Sequence, residues 1–267
     1  MKHVLHDVKK SDVILSPFPH VVVKPYSDEI ISDLINETPQ CKEFPGYKNT
    51  ENHRMTYLAH DFLRRADLEK MPTWKKFVEL NTSRDYIDKF FDLFGEYLYA
   101  QTNFEKFLGK KEDLKHGMFK RDTGCDLYWD AGIGINTPTS GGTSVRGPHI
   151  DKAHKVNFGL LYLRHPEDNC VGGDLELYTL NDDMLPSFHS NNAIDKSCVK
   201  VTKTIKYEAG TMIVGINSLD AIHGVSPRGP SKYPRVFGHI VCAARTDFIS
   251  GKGIRAGTNL NREGSKF

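Results

Sequence analysis

The sequence of 267 residues predicts an α+β fold, in which a mainly helical N-terminal part packs against a double-stranded β-helix, or jelly roll. Apolar residues recur at helical spacing over 73–99, whereas after residue 120 short alternating runs are separated by Gly, Pro, Asn and Asp. The length suffices to bury one full-sized core, so we expect a single domain over 1–267. Its expected parts are a helical elaboration at 1–119, the β-helix core at 120–246 and a tail at 247–267.

The N-terminal part contains signals for one strand and three helices. A β-branched run predicts a strand over 19–24, and Ser27 with the acidic residues after it predicts the start of a helix. Within 73–99 the apolar spacing is interrupted just before Ser83, which predicts two helices, the second capped at Ser83. Residues 40–70 are polar and lack periodicity, so we expect a mobile loop that faces a substrate.

The predicted core consists of short strands joined by turns. Alternating or apolar runs occupy 156–163, 171–178, 207–214 and 235–242. Between them, residues 181–200 are rich in Asn, Asp and Ser, which predicts a long insertion. An α-helical region followed by such a series of strands predicts helices that buttress one side of the β-helix.

Composition excludes several function classes. The formal net charge is +2 with both signs interspersed, so nothing indicates a nucleic-acid or membrane-surface partner. The five cysteines are scattered and never spaced as CxxC, which disfavours disulfides and thiolate zinc sites and suits a reducing compartment. The N-terminus lacks a signal-peptide core, and no run is long enough to span a membrane. We expect a soluble cytoplasmic protein.

Three residues have the spacing of a metal site. His149 and Asp151 are two residues apart, so at a strand end their side chains can converge on one ion, and His223 can supply a third ligand. Two imidazoles and one carboxylate on one face of an ion leave the opposite positions open, which is the arrangement of non-haem Fe(II) oxygenases. Arg235, on the last predicted strand, offers a cation for a co-substrate that bears a carboxylate. These residues indicate an enzyme.

The order of these features resembles the Fe(II)/2-oxoglutarate-dependent oxygenase superfamily, in particular its prolyl-hydroxylase-like branch. The shared features are His149-Ile150-Asp151, a strand that follows Gly172-Gly173, the distal His223 and the strand-borne Arg235, all within residues 120–246. The resemblance implies that the three metal-site residues hold Fe(II), that 2-oxoglutarate chelates the iron, and that the arginine anchors its far carboxylate. It also implies that O₂ is consumed and succinate and CO₂ are released as an unactivated C–H bond is hydroxylated. The carboxylate of Asp151 favours hydroxylation over halogenation, because related halogenases have a small residue there.

One position departs from the pattern of the family. Many relatives have a hydroxyl residue two positions after the arginine, where this chain has Phe237. Tyr162 is our candidate for the second contact to the co-substrate carboxylate, with a core aromatic as a nearly equal alternative. Strand alternation places His239 on the face of Arg235, where it lines the co-substrate pocket or serves as a hydrogen-bonded core histidine.

The walls of the expected site hold apolar and substrate-facing residues. We predict an apolar lining that shields the reaction from water, formed by Phe158, Leu160, Val214 and Ile216. The candidate substrate contacts are Tyr128, Asp130 and Arg146, each of which is equally compatible with a structural role.

The substrate is predicted only by class. A small amino-acid-like metabolite is the first expectation, because no large docking surface is evident, and a protein or peptide side chain is the second. A nucleobase is disfavoured by the near-neutral charge. Two alternatives remain open: a cupin-type metalloenzyme that uses no 2-oxoglutarate, and a non-catalytic jelly-roll binding protein in which the three metal-site residues are coincidental.

Overall fold

The strands of the protein form two facing sheets, as seen in a computed structural model that describes residues 1–181 and 192–249. The strands are β1 His20–Val23, β2 Arg54–Tyr57, β3 His116–Met118, β4 Leu127–Asn136, β5 Lys155–Tyr162, β6 Leu175–Leu180, β7 Val199–Ile205, β8 Met212–Ile216, β9 His223–Val225 and β10 Arg235–Ala244. The helices are α1 Asp28–Asn36, α2 Ala59–Phe62, α3 Pro72–Asn81, α4 Arg84–Gln101 and α5 Phe104–Leu108.

The strand order is that of a double-stranded β-helix. The larger sheet runs β1-β8-β5-β10-β4-β2, with β3 also paired to β4, and the smaller sheet runs β7-β6-β9. An antiparallel bridge between His149 and His223 adds a further segment to the edge of the smaller sheet. With the helices on the outer face of the larger sheet, the predicted α+β fold class is confirmed. The extent of a single domain stays a prediction.

Side chains alternate along β10, and those on one face pack against the helices that cover the larger sheet. Val236, Ile240 and Cys242 belong to the core cluster that includes the α3 and α4 aromatics Trp74, Phe77 and Phe90. A Cβ atom at Gly238 would lie 2.9 Å from the Phe77 ring, so the absence of a side chain there allows α3 to approach closely. The opposite face of β10 is therefore turned toward the smaller sheet.

The predicted helix starts are confirmed. Ser27 caps α1 by accepting a hydrogen bond from the Ile30 amide at 3.5 Å, and Ser83 caps α4 by accepting one from the Tyr86 amide at 3.3 Å. The cap at Ser83 ends the continuous helical spacing and separates α3 from α4. Among the described residues, no helix is long and apolar enough to cross a membrane.

The prediction of an unbroken loop over 40–70 was wrong, whereas its mobility and its contact with a substrate stay predictions. Residues 54–57 form β2, which pairs with the end of β4, and α2 follows directly. The strand is only four residues long and its partner lies far along the chain, so local periodicity could not reveal it. Of the predicted insertion at 181–200, residues 182–191 lie outside the described residues, and β7 already begins at Val199. Most of the predicted tail, 250–267, also lies outside them.

The strand predicted over 207–214 begins later than expected. It is β8, and the residues before it form a turn in which Gly210 has a φ of +83°. A residue without a side chain tolerates this left-handed backbone.

Candidate functional site

The three predicted metal ligands meet at one end of the β-helix. His149 and His223 are direct cross-strand neighbours, each donating its backbone N–H to the other's carbonyl at 2.9 Å. Asp151 follows His149 by two residues, and one ligand atom of each of the three lies within 4.8 Å of the others. Two side chains that are remote in the sequence therefore become adjacent because the strands that carry them pair.

Backbone carbonyls fix the histidine rings. Nδ1 of His149 donates to the Gly147 carbonyl at 2.8 Å, and Nδ1 of His223 donates to the Ala221 carbonyl at 2.9 Å. A carbonyl oxygen can only accept, so each ring carries its proton on Nδ1 and keeps the Nε2 lone pair for a metal. The ring of Phe158 stacks on that of His223 at a centroid distance of 4.5 Å, which holds its plane.

The protonation states of the three groups suit a divalent cation. Burial lowers the pKa of both histidines, so their rings are neutral at pH 7. Burial by itself would raise the pKa of Asp151, but the cations around it, including the Arg146 guanidinium 3.5 Å away, more than offset this and lower the pKa. Neutral imidazoles and an ionised carboxylate are the forms that bind a metal. This donor set fits Fe(II) with open positions on the cavity side.

The ligands open into a cavity of about 260 Å³ between the two sheets. Its wall includes apolar side chains from β5 and β6, namely Phe158, Leu160 and Leu175. The predicted lining by Val214 and Ile216 was wrong, because both belong to the core on the helix side. Strand register places Ile213, the residue before Val214, on the face of Leu160. Since strand side chains alternate, an error of one residue reverses the face.

Arg235 lies at the opposite end of this cavity and is 3% exposed. Its Nε donates to the Gly173 carbonyl at 2.8 Å, and its guanidinium carbon is 5.0 Å from the ring centroids of both Tyr162 and Tyr207. Nη2 of Arg235 and the hydroxyl of Tyr162 are buried and have no hydrogen-bond partner among the described residues. A buried cation with an unpartnered N–H favours an anion beside it.

The turn at Gly172-Gly173 brings the strands close together. Both glycines have a positive φ, and a Cβ atom at Gly172 would lie 1.9 Å from the Pro227 carbonyl oxygen. A side chain is therefore excluded at this position. The turn also presents the Gly173 carbonyl that holds Arg235, which links the turn to the geometry of the site.

His239 and Asp130 form a buried pair in the cavity wall. Nε2 of His239 lies 3.3 Å from an Asp130 carboxylate oxygen, and the other oxygen accepts a hydrogen bond from the Ala59 amide at 2.6 Å. Nδ1 of His239 has no partner among the residues that the structure describes. His239 and Asp130 therefore form a buried structural contact, which was the alternative role for each of them. Both side chains also line the cavity.

The other predicted substrate contacts also line the cavity. The Tyr128 hydroxyl accepts a hydrogen bond from the Cys125 amide at 3.1 Å, which holds the ring at the wall. Arg146 is close to the metal ligands through its contact with Asp151. The structure therefore brings the predicted metal, co-substrate and substrate residues to one cavity or its immediate wall, and their functional roles stay predictions.

Sequence reasoning missed the row of polar side chains at the open edge of the larger sheet. Arg54 lies opposite Asn136 on the neighbouring strand, and Asn136 lies opposite Arg235 on the next one. The three side chains therefore lie on one face of the sheet, and all three line the cavity. Lys155 lines it as well. The only signal for Arg54 was the alternation of polar and apolar residues over 54–57, which is too short to identify a strand.

No protein-family model matches the sequence, and no curated protein matches it. Among solved structures, a prolyl 4-hydroxylase from Phytophthora capsici has 14% identity and a TM-score of 0.49, covering 91% of this chain and 64% of its own. A Pseudomonas putida prolyl-4-hydroxylase has 13% identity and a TM-score of 0.46, covering 88% and 98%.

A further similar structure is the Trichoplax adhaerens prolyl hydroxylase, solved in complex with a peptide fragment of hypoxia inducible factor. It has 10% identity and a TM-score of 0.44, covering 88% of each chain. This chain spans about 64% of the length of the Phytophthora neighbour. At such identities and scores, the function has to be argued from the site itself.

Proposed function

We propose that this protein is an Fe(II)- and 2-oxoglutarate-dependent oxygenase that hydroxylates an unactivated C–H bond of a small amino-acid-like substrate. One observation supports it above the others: a His-Asp-His set and a buried arginine with an unpartnered N–H share one cavity. When bound, Fe(II) with O₂ and 2-oxoglutarate supplies the oxidation of the C–H bond, with release of succinate and CO₂.

Each residue has a role that follows from its surroundings. His149, Asp151 and His223 hold the metal through two Nε2 atoms and a carboxylate oxygen. Arg235 binds the far carboxylate of 2-oxoglutarate, and the unpartnered Tyr162 hydroxyl donates to the same group, in place of the hydroxyl residue that Phe237 replaces. The apolar wall at Phe158 and neighbouring residues excludes water from the reacting atoms.

The size of the cavity supports a small substrate over a peptide. The volume of about 260 Å³ lies just below the usual range for ligand pockets, and the co-substrate must share this space with the reacting part of the substrate. A peptide would have to lie across the mouth of the cavity with only one side chain inside. We therefore keep a peptide or protein side chain as the second candidate.

Two other classes are disfavoured by specific residues. A cupin-type metalloenzyme without 2-oxoglutarate has no use for a buried arginine opposite the metal, whereas this chain keeps Arg235 buried at that place. A non-catalytic jelly-roll protein has no reason to fix the tautomers of both histidines toward a common point, as the Nδ1 contacts do here. Location in the cytoplasm stays a prediction from composition.

The proposal is tested by anaerobic titration of the metal-free protein with Fe(II) and 2-oxoglutarate, following the weak visible charge-transfer band of the chelate. We expect the band with the wild type, its loss in His223→Ala, and a much higher 2-oxoglutarate requirement in Arg235→Ala. Iron binding without a band would overturn the co-substrate and favour the cupin class. Absence of stoichiometric iron binding would overturn the metal site itself.

A further inference from the structure

We infer that Arg54 and Asn136 bind a carboxylate of the substrate, so that the substrate of this cavity is a small carboxylate anion. This inference rests on the proposed function, because it assigns a substrate class to the same cavity. It adds a second anion site that neither the spacing of the metal ligands nor the position of Arg235 indicates.

The two side chains are neighbours on the face of the sheet that lines the cavity. Arg54 on β2 is paired with Asn136 on β4, which in turn is paired with Arg235 on β10. Side chains directly opposite each other on paired strands have Cβ atoms about 4.5–5.5 Å apart, within reach of one small ligand. All three residues line the cavity, so a ligand inside it meets them as one polar row.

Both side chains have hydrogen-bonding capacity that the described part of the protein leaves unused. Asn136 is 1% exposed, and its Nδ2 has no hydrogen-bond partner among the described residues. The guanidinium of Arg54 forms no hydrogen bond or ion pair with a described residue, and its one ring contact is with Phe237, at 5.4 Å. A buried amide donor without a partner is costly, and a ligand carboxylate would satisfy it.

Burial separates the roles of the two arginines. Arg235 is buried and enclosed by Tyr162 and Tyr207, so only a ligand already inside the cavity can reach it. Arg54 belongs to an edge strand and is exposed to solvent as a residue, while burial lowers the pKa of its guanidinium, which lines the cavity. The enclosed guanidinium of Arg235 suits a co-substrate held at the base of the cavity. The guanidinium of Arg54, carried by the edge strand, suits the substrate, which approaches from solvent.

The balance of charge in the cavity favours an anionic substrate over a cationic one. The acids among the described lining residues are Asp130 and Asp151. Asp130 already contacts the Ala59 amide and His239, and Asp151 belongs to the metal site. A substrate ammonium group would therefore find no uncommitted carboxylate. By contrast, the lining includes further cations, and the planar guanidinium of Arg54 matches the geometry of a carboxylate.

The test compares a carboxylate with its neutral counterpart on the loaded protein. The full chain is saturated with Zn(II), as a diamagnetic substitute for Fe(II), and with 2-oxoglutarate, and saturation-transfer NMR is recorded for N-acetylglycine and for N-acetylglycinamide. We expect N-acetylglycine to bind to the wild type and N-acetylglycinamide to bind at least about tenfold more weakly. In Arg54→Gln, N-acetylglycine should bind at least about tenfold more weakly, since charge-assisted hydrogen bonds are lost.

Matched variants separate this effect from general charge. Arg84→Gln removes an exposed arginine from the surface of α4 and should leave N-acetylglycine binding unchanged. Arg54→Lys should restore part of the affinity, because it keeps the charge but not the two-pronged geometry. Methyl phosphate serves as a second anion, and tighter binding of methyl phosphate than of N-acetylglycine would overturn the carboxylate assignment.

The inference and the proposed function can fail separately. Absence of N-acetylglycine binding, or equal binding by wild type and Arg54→Gln, would overturn the inference even if the Fe(II)–2-oxoglutarate band forms. If Arg54→Gln instead raises the 2-oxoglutarate requirement as much as Arg235→Ala does, Arg54 serves the co-substrate and the substrate site is wrong. If the wild type shows no Fe(II)–2-oxoglutarate charge-transfer band, the proposed function itself is overturned.

Discussion

The two ends of the cavity differ in how their polar atoms are satisfied. At the metal end, the protein itself fixes each histidine, with Nδ1 bonded to a backbone carbonyl and the ring of His223 stacked on Phe158. At the basic end, Arg235, Asn136 and the Tyr162 hydroxyl keep buried polar atoms without partners among the described residues. The difference indicates that the protein itself organises the metal end, whereas the basic end keeps hydrogen-bonding capacity that the proposed ligands would use.

The largest effect is expected when a residue that holds the metal is replaced. His223→Ala or Asp151→Ala should abolish stoichiometric Fe(II) binding and reduce 2-oxoglutarate turnover by roughly a thousandfold, because a metal contributes several kcal/mol to catalysis. Iron content and succinate release measure the two quantities. Replacement of the exposed His6 by alanine is the matched control and should change neither the iron content nor the release of succinate. Normal iron content in either ligand variant would contradict the assignment.

Replacement of Arg235 at the basic end should leave iron binding intact. Arg235→Met should raise the 2-oxoglutarate concentration needed for half-saturation by at least about thirtyfold, because truncating one partner of a buried charge pair costs about 2–5 kcal/mol. The ligand-free variant should unfold at the same temperature as the wild type or higher, since the guanidinium is buried without an anion. A large drop in Tm without ligand would show that Arg235 is a structural residue.

A milder change sharpens the claim that the metal end is preorganised. Phe158→Leu keeps an apolar wall but removes the ring that stacks on His223. We expect Fe(II) affinity to fall by about tenfold, in the range found when groups that orient metal ligands are removed. Metal titration measures this loss. Phe237→Leu, at the basic end, is the matched variant and should leave Fe(II) affinity unchanged.

Acid should destabilise the metal-free protein, because several of its histidines are buried and resist protonation. Burial lowers the pKa of His149 and His223, and it lowers that of His116, which accepts a hydrogen bond from Trp129, to about 4. Below about pH 6.5 the unfolded chain binds protons that the folded protein does not, so the free energy of unfolding falls as the pH decreases. Stability from His116 is present above pH 6.5 and is lost as the pH falls toward about 4.

Urea unfolding of the metal-free protein between pH 7 and pH 4.5 measures this dependence. The double variant His149→Ala/His223→Ala should show a shallower loss of stability with acid than the wild type, because two groups that protonate on unfolding are gone. The metal-free form is required, since a bound ion would add its own proton linkage. An unchanged pH dependence would contradict the direction of these pKa shifts.

The smallest effect is expected far from both ends. Ser83→Ala removes the side-chain acceptor at the start of α4 and should lower the free energy of unfolding by about 1 kcal/mol. Fe(II) and 2-oxoglutarate binding should stay unchanged, because the cap lies on the helical layer outside the cavity. Thermal unfolding and the anaerobic titration check the two parts. Weaker ligand binding would show that the helical layer controls the cavity.

Much of the fold could be predicted because its signals are local. The caps at Ser27 and Ser83 and the alternation of β10 depend on residues close in sequence, and all three were confirmed. Val214 and Ile216 were assigned to the wrong face of β8, because all five residues of this strand are buried and its sequence shows no polar alternation. The strand β2 was missed because its pairing with β4 is a long-range property.

The sequence by itself determined the chemical types at the site, since it contains a His-x-Asp pair, a distal histidine and a strand-borne arginine in an order that favours a metal site with an anion partner. Only the tertiary structure decided which polar atoms remain without partners. Pairing of His149 with His223 joins two strands that are remote in the chain, and pairing of β2 with β4 brings Arg54 into the same row as Arg235. The physical reason is that strand spacing fixes the face of a side chain locally, whereas its neighbours across the sheet depend on register between distant segments.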